Sequence, residues 1–302
     1  GDRSHAMDFF QREEPGHPVL NIGYGEGGVL GWAAPATDGG SPELTAAEIL
    51  KANPPVTMRL PLVYQKEDVN LVFEGQETPE VLSLEDYPLD EDGNLLFRFD
   101  QDHSVGFFQD GNFITFGAVP CLDWTQAPAE SLEAVYRPQG YILRCRIGGR
   151  ERVYVFRIGV LVPQANPAGE LDALKPQSPQ DVWDLSPFVL VEAKSTDRPM
   201  GGGLYLMTDA ERRELLGILK PETWSVLENP EARGMEGAPW IATLGHTSLR
   251  MDDANQDGSV TIAISNRYSE ERFIYTAPQE VMDGFRAFTY RMGDDVFPER
   301  LR

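Results

Sequence analysis

Two charged residues that could take part in a hydrolytic reaction end an apolar run at residues 188–194, FVLVEAK. They are Glu192 and Lys194, and because strand side chains alternate between faces, both project from the same face. Asp181 and Asp184 precede the run and could add a second carboxylate. Carboxylates can hold a divalent metal ion, so these residue types suit metal-assisted hydrolysis.

This pattern resembles the half-motif of the PD-(D/E)xK nucleases. In that family an aspartate on a preceding strand and the glutamate hold the metal, and the lysine orients the attacking water. The resemblance implies metal-binding roles for Asp184 and Glu192 and a water-positioning role for Lys194. The alternative interpretation of the same residues is an ion pair at the end of a strand.

A second group of oxygen-bearing side chains could bind Ca²⁺. Its members stand at alternate positions: Asp253, Asn255 and Asp257. Gly258 follows them, as in the first half of a calcium loop of the EF-hand type. Position twelve of such a loop is Ile264, so Glu270 or Glu271 would have to supply the last ligand from across a hairpin. The alternative is a polar hairpin turn that holds no ion.

The segment from Gly140 to Pro163 predicts a long β-hairpin with its turn at Gly148-Gly149. Apolar residues recur at every second position of both strands: Tyr141, Leu143, Cys145 and Ile147, then Tyr154, Phe156, Ile158, Val160 and Val162. This period is that of a strand with one buried face. We therefore expect Arg144, Arg146 and Arg157 to project from the opposite face of the same sheet.

These arginines stand out because the chain is strongly acidic. It has 48 acidic and 26 basic residues and a net charge of −22, yet six arginines fall between residues 137 and 157. An acidic surface repels nucleic acid and anionic lipid and attracts a basic protein. We interpret Arg144, Arg146 and Arg157 as partner-binding residues. The alternative role of the acidic surface is solubility, including solubility in a saline cell interior.

Several common catalytic motifs are missing from the sequence. There is no G-x-S-x-G, no phosphate-binding loop of the Walker type and no HExxH. The native histidines, His17, His103 and His246, are not at zinc-ligand spacing. Cys121 and Cys145 lie in apolar runs, which favours two buried free thiols over a disulfide.

Helix signals are few compared with strand signals. Capping boxes at Thr45/Glu48 and Thr208/Glu211 predict two helices. A stripe of apolar residues at helical spacing predicts a third near the C-terminus: Val281, Phe285, Phe288 and Met292. Further strands are predicted at 239–244, 247–251, 259–264 and 272–276. The sequence therefore predicts an α+β fold, predominantly antiparallel β-sheet with a few short peripheral helices.

The same patterns suggest how the chain is divided. Residues 1–7 are interpreted as an expression-tag remnant and residues 8–163 as a β-rich N-terminal domain. A proline-rich linker or surface excursion is predicted at 164–183, and an α+β C-terminal domain at 184–302.

The function that these observations favour is a soluble, cytoplasmic, non-catalytic module that binds or neutralises a protein partner. We expect that partner to be basic, and we expect no nucleic acid, membrane or obligatory cofactor. The alternatives are a metal-dependent nuclease and a Ca²⁺-stabilised binding domain. The oligomeric state does not follow from the sequence.

Overall fold

The structure is a computed structural model. It describes residues 18–25, 28–33, 35–36, 45–53, 55, 59–75, 77–96, 102–120, 136–161, 189–192, 204–227, 240–243, 247–252, 257–266 and 272–296. Among these residues no helix is both long and apolar enough to cross a membrane.

Strands dominate the described part of the chain. The strands that precede residue 162 are β1 (Leu20–Tyr24), β2 (Gly28–Ala33), β3 (Leu62–Tyr64), β4 (Asp68–Phe73), β5 (Glu80–Pro88), β6 (Phe108–Asp110), β7 (Phe113–Gly117), β8 (Tyr136–Ile147) and β9 (Arg150–Leu161). Those that follow are β10 (Val189–Glu192), β11 (Leu204–Leu206), β12 (Ser225–Val226), β13 (Trp240–Thr243), β14 (Thr247–Asp252), β15 (Val260–Asn266) and β16 (Arg272–Ala277). The helices are α1 (Ala46–Ala52), α2 (Asp209–Leu219) and α3 (Gln279–Val296), with a 3₁₀ turn at Pro221–Thr223.

The strands form two sheets. The smaller has the order β2-β1-β4-β7-β6, and the larger has the order β12-β16-β15-β14-β13-β10-β11-β3-β9-β8-β5. Every pair is antiparallel except β3 with β9. The predicted α+β class with mainly antiparallel sheet is therefore confirmed. The larger sheet joins both halves of the chain through β3, which pairs with β9 and β11, and the predicted linker at 164–183 lies outside the described residues.

The long hairpin is formed by β8 and β9, with its turn at the predicted position. Tyr141 is opposite Phe156 and Leu143 is opposite Tyr154. The turn residues Gly148 and Gly149 have φ values of 57° and 74°, which other residues rarely adopt. Seven of the nine side chains expected on the inner face are at most 5% exposed: Tyr141, Leu143, Cys145, Tyr154, Phe156, Ile158 and Val160. Ile147, next to the turn, is partly exposed, and Val162 lies outside the described residues. The predicted inner face is confirmed.

This inner face packs against the smaller sheet. Leu71, Ile114 and Phe116 of that sheet belong to the same buried cluster as the hairpin residues. The rings of Tyr141 and Phe156 are stacked, with centroids 4.9 Å apart and planes 2° apart. Two sheets that share one dry, aromatic core hold the hairpin in a fixed orientation.

The helices cover other sheet faces and begin where the sequence predicts. Thr45 and Glu48 form a reciprocal capping box at α1, and Thr208 and Glu211 form another at α2. Helices α2 and α3 bury one apolar side each in a second core: Leu215, Leu219, Val281, Phe285, Phe288 and Met292. Helix α1 instead lies on the outer face of the hairpin, where it buries Ile49 and Leu50.

Candidate functional site

The residues of the nuclease hypothesis are only partly described. Glu192 ends β10, which lies between β13 and β11 inside the larger sheet. Asp184 and Lys194 lie outside the described residues. Whether the three side chains meet therefore stays a prediction.

The proposed calcium loop is described only at its end. Asp257 is exposed, and its Oδ1 accepts hydrogen bonds from the backbone N (2.9 Å) and Oγ (2.6 Å) of Ser259. Both hydrogen bonds lower the pKa of Asp257, and the bond from the Ser259 side chain has the larger effect. Asp253 and Asn255 lie outside the described residues, so Ca²⁺ binding stays a prediction. Within the described ranges, no three His, Cys, Asp or Glu side chains are grouped to hold a metal ion.

Two of the three predicted partner-binding arginines lie on the outer face of β8, each next to carboxylates of neighbouring strands. Arg144 Nε is 3.8 Å from Glu85 Oε1 on β5. Arg146 bridges two strands, since it lies 3.1 Å from Glu80 Oε2 on β5 and 3.3 Å from Glu151 Oε1 on β9. We call these five residues, three acidic and two basic, the charged strip. Cross-strand pairs of opposite charge stabilise their sheet weakly and fix one another's orientation.

Arg157 projects from the same face but lies under α1. Its two terminal nitrogens donate to the carbonyl oxygens of Asn53 (2.7 Å) and Leu50 (2.6 Å) at the end of that helix. Burial lowers the pKa of Arg157. A cation at a helix C-terminus satisfies carbonyls that lack partners within the helix. Arg157 therefore anchors α1 to the hairpin, a role that strand alternation alone did not indicate.

Gly140, opposite Arg157, is the sequence signal that could have indicated this contact. A Cβ at position 140 would lie 2.7 Å from Leu50 Cδ2 and 3.1 Å from Leu89 Cδ1. Only glycine leaves room for Leu50 to approach the sheet so closely. A glycine in the interior of a long strand is typical of such a close approach.

A further polar group, not predicted from the sequence, lies next to the charged strip. The Tyr87 hydroxyl donates to Glu85 Oε2, and burial, together with this bond, raises the pKa of Tyr87. The His103 ring stacks on Tyr87 with centroids 4.3 Å apart, and its Nδ1 lies 2.8 Å from the backbone oxygen of Asp86. Because a carbonyl can only accept, Nδ1 carries the hydrogen and Nε2 of the neutral ring can accept one.

Three exposed apolar side chains lie where the edges of the two sheets meet. Leu82 of β5 is 43% exposed, Phe107 is 40% exposed, and Phe108 of β6 is 68% exposed. The register of β5 against β8 shifts between Val81 and Ser83, so Leu82 lies at an irregular position of the edge strand.

Two hydrogen bonds join the chain segments that carry these three residues. Val105 N donates to Leu84 O (2.8 Å), and Gln109 Nε2 donates to Pro79 O (2.8 Å). Residues 106–108 therefore run along residues 81–83. We call Leu82, Phe107 and Phe108 the apolar edge.

Exposed carboxylates lie on the strands that carry the apolar edge and in the segment before β5. Glu77 and Asp110 are exposed, and Glu80 of the charged strip has a side chain that is 64% exposed. Arg144 and Arg146, the latter with a side chain that is 41% exposed, are the cations of the charged strip. Acidic side chains thus lie both on the strands that carry the apolar edge and on those that carry the charged strip.

Comparison with known proteins finds no family model that matches the chain and no curated protein that matches it.

Proposed function

We propose that the chain is a non-catalytic module that binds a basic protein partner through the apolar edge and the charged strip. The observation that carries the proposal is the exposure of Phe108 beside Phe107 and Leu82. Single exposed apolar residues are common on protein surfaces, whereas adjacent ones with a polar border favour an interaction site. Aromatic side chains at such a site supply large contact areas and often dominate the binding energy.

The charges around the apolar edge favour a basic partner. Glu77, Glu80, Glu85, Asp110 and Glu151 outnumber Arg144 and Arg146, in a chain whose net charge is −22. A field of this sign attracts cations and speeds their encounter with the surface. Arg144 and Arg146 support the site in this proposal by holding the carboxylates of the charged strip in place. Arg157 is omitted because it anchors α1.

The site of action that we propose is the cytoplasm. Cys145 is a buried free thiol, and burial raises its pKa to about 12. Free thiols are typical of reducing compartments, although this one is also protected by the core around it. Fractionation of cells that produce the protein tests this part of the proposal, and recovery in an extracellular fraction would contradict it.

The binding proposal is tested by affinity capture with three forms of the chain from the cells that produce it. The baits are the wild type, Phe108→Ser and, as a matched control, Val226→Ser. Val226 is 72% exposed on β12, at the opposite end of the larger sheet. Captured proteins are quantified by mass spectrometry at low and high salt.

We expect a basic protein on the wild type and on the control, with recovery reduced at least tenfold on Phe108→Ser. Loss of a hot-spot aromatic costs about 2 kcal/mol or more, which corresponds to such a reduction. High salt should weaken capture because charges are screened beyond about 8 Å at physiological ionic strength. Equal recovery on all three baits would refute the proposed surface. Equal recovery on the wild type at low and high salt would refute the proposal that the partner is basic.

A further inference from the structure

A cavity of about 980 Å³ lies apart from the apolar edge, bordered by α1, β9, the edge strand β2 and the turn after β5. Small-molecule sites in proteins have volumes of about 300–1,000 Å³. Much of the wall is apolar and partly aromatic: Leu30, Trp32, Leu50, Tyr87 and Val155. The cavity therefore has the size and lining of a site for an organic molecule.

Arg157 places a positive charge in this wall. Its terminal nitrogens bond to the neutral carbonyls of Leu50 and Asn53, while its Nε is buried without a hydrogen-bond partner among the described residues. Desolvation is the cause of its lowered pKa, with no contribution from a neighbouring charge in the described part of the chain. A desolvated charge that is offset only by carbonyl dipoles favours the approach of an anion.

The other charged groups of the wall have both signs. The cations Lys51, Arg59 and Arg157 line it together with the carboxylates of Asp90, Glu91 and Asp92, and Arg59 also pairs with Glu211 Oε1 at 2.7 Å. The carboxylate of Asp90 is engaged in its own turn, where it accepts from Asn94 N at 2.8 Å. In a chain of net charge −22, the cavity is thus a region where cations and carboxylates lie close together, with the Arg157 guanidinium in its wall.

His103 adds one oriented polar group. It lines the cavity beside Tyr87, and its Nδ1 hydrogen is held by the backbone oxygen of Asp86. The ring therefore offers Nε2 as an acceptor, which can receive a hydrogen bond from a ligand hydroxyl or amide. A few placed polar groups in an apolar wall are the usual arrangement of a specific ligand site.

We propose that this cavity binds a small organic acid with an aromatic or aliphatic body. The carboxylate of the ligand pairs with the guanidinium of Arg157, and the body packs on Leu50, Tyr87 and Val155. The ligand also contacts α1, which makes the helix part of the site. This inference does not depend on the protein partner proposed above.

The test uses the full chain and two probes of the same shape, 1-naphthaleneacetate and the neutral 1-naphthaleneacetamide. Isothermal titration calorimetry measures their dissociation constants. We expect the wild type to bind the acid at least tenfold more tightly than the amide. If the wild type binds the two probes with equal affinity, or binds neither of them, the proposal is overturned before any variant is measured.

Variants then locate the site. Arg157→Gln can still donate to the helix carbonyls, and it should lose the preference for the acid, whereas Arg157→Lys should keep most of it. Val155→Trp fills the cavity and should raise the dissociation constants of both probes at least tenfold. Arg250→Gln, an exposed change on β14, is the control and should match the wild type. Circular dichroism confirms that each variant is folded, and a retained tenfold preference in folded Arg157→Gln would refute the role of Arg157.

Discussion

Replacing Phe156 by alanine tests the assignment of faces in the long hairpin. Phe156 is 5% exposed, stacks on Tyr141 with centroids 4.9 Å apart, and lies 6.3 Å from the ring of Phe116. Truncation of a buried phenylalanine removes this contact area and leaves a cavity, which together cost about 3–5 kcal/mol. Since whole domains are stable by only about 5–15 kcal/mol, this is a large fraction of the total.

The matched change on the other face is Arg144→Ala. Arg144 and Glu85 are 3.8 Å apart, and their side chains are 31% and 28% exposed. Such partly exposed pairs contribute about 0–1 kcal/mol. Glu85 also keeps the hydrogen bond from Tyr87 in this variant, so its carboxylate is not left alone.

Urea unfolding followed by tryptophan fluorescence measures both variants against the wild type. We expect Phe156→Ala to lower the free energy of unfolding by at least about 2 kcal/mol more than Arg144→Ala does. The reverse ranking, or two equal losses, would show that alternation along β8 and β9 has been assigned to the wrong faces.

Two further predictions concern α1 and α2. Gly140→Val should destabilise the fold by about 1–3 kcal/mol because its Cβ would meet Leu50 Cδ2 at 2.7 Å. Gly117→Val, which meets nothing within 4 Å, is the control, and thermal melts that fail to separate the two would contradict the close approach of α1. For Glu211, burial raises the pKa, but hydrogen bonds, foremost from the Arg59 guanidinium, lower it by more. Its stabilising contribution is therefore fully present above about pH 4.3 and lost as the pH falls through its lower folded value, so the stability gap between wild type and Glu211→Gln should shrink as the pH is lowered from about 4.3 to about 2. A gap that stays constant in urea titrations over this range would argue against the lowered pKa.

The parts of the fold that the sequence predicts are those encoded by local periodicity. Alternation over β8 and β9 is long enough to define both strands, their turn and their buried face. The capping boxes are equally local, since each needs residues only three positions apart. The strands predicted at 247–251 and 272–276 also agree with β14 and β16 within a residue.

The pairings that local patterns do not contain could not be predicted. Strand β3 has three residues, too few for a period, and yet its parallel pairing with β9 and its contact with β11 join the larger sheet. The stacking of Tyr87 on His103 likewise requires that the segment after β5 returns to pair with it. Such contacts depend on tertiary packing, for which a single sequence has no short-range signal.

The position of α1 explains why the arginines of one face have different roles. In the middle of the hairpin both faces are apolar, since Ile142 and Val153 on the outer face are as buried as the residues of the inner face. Alternation predicts which residues share a face, but it does not reveal whether a second layer covers that face.

Helix α1 supplies that layer through Ile49 and Leu50, and its last turn ends over Arg157. Carbonyls at a helix end need donors, and a guanidinium beneath the helix can satisfy two of them at once. Arg144 and Arg146 lie beyond the reach of those carbonyls and pair with carboxylates on β5 and β9 instead. Helix α1 has only seven residues and therefore covers only part of the outer face. The covered part borders the ligand-sized cavity, and the uncovered part carries the charged strip.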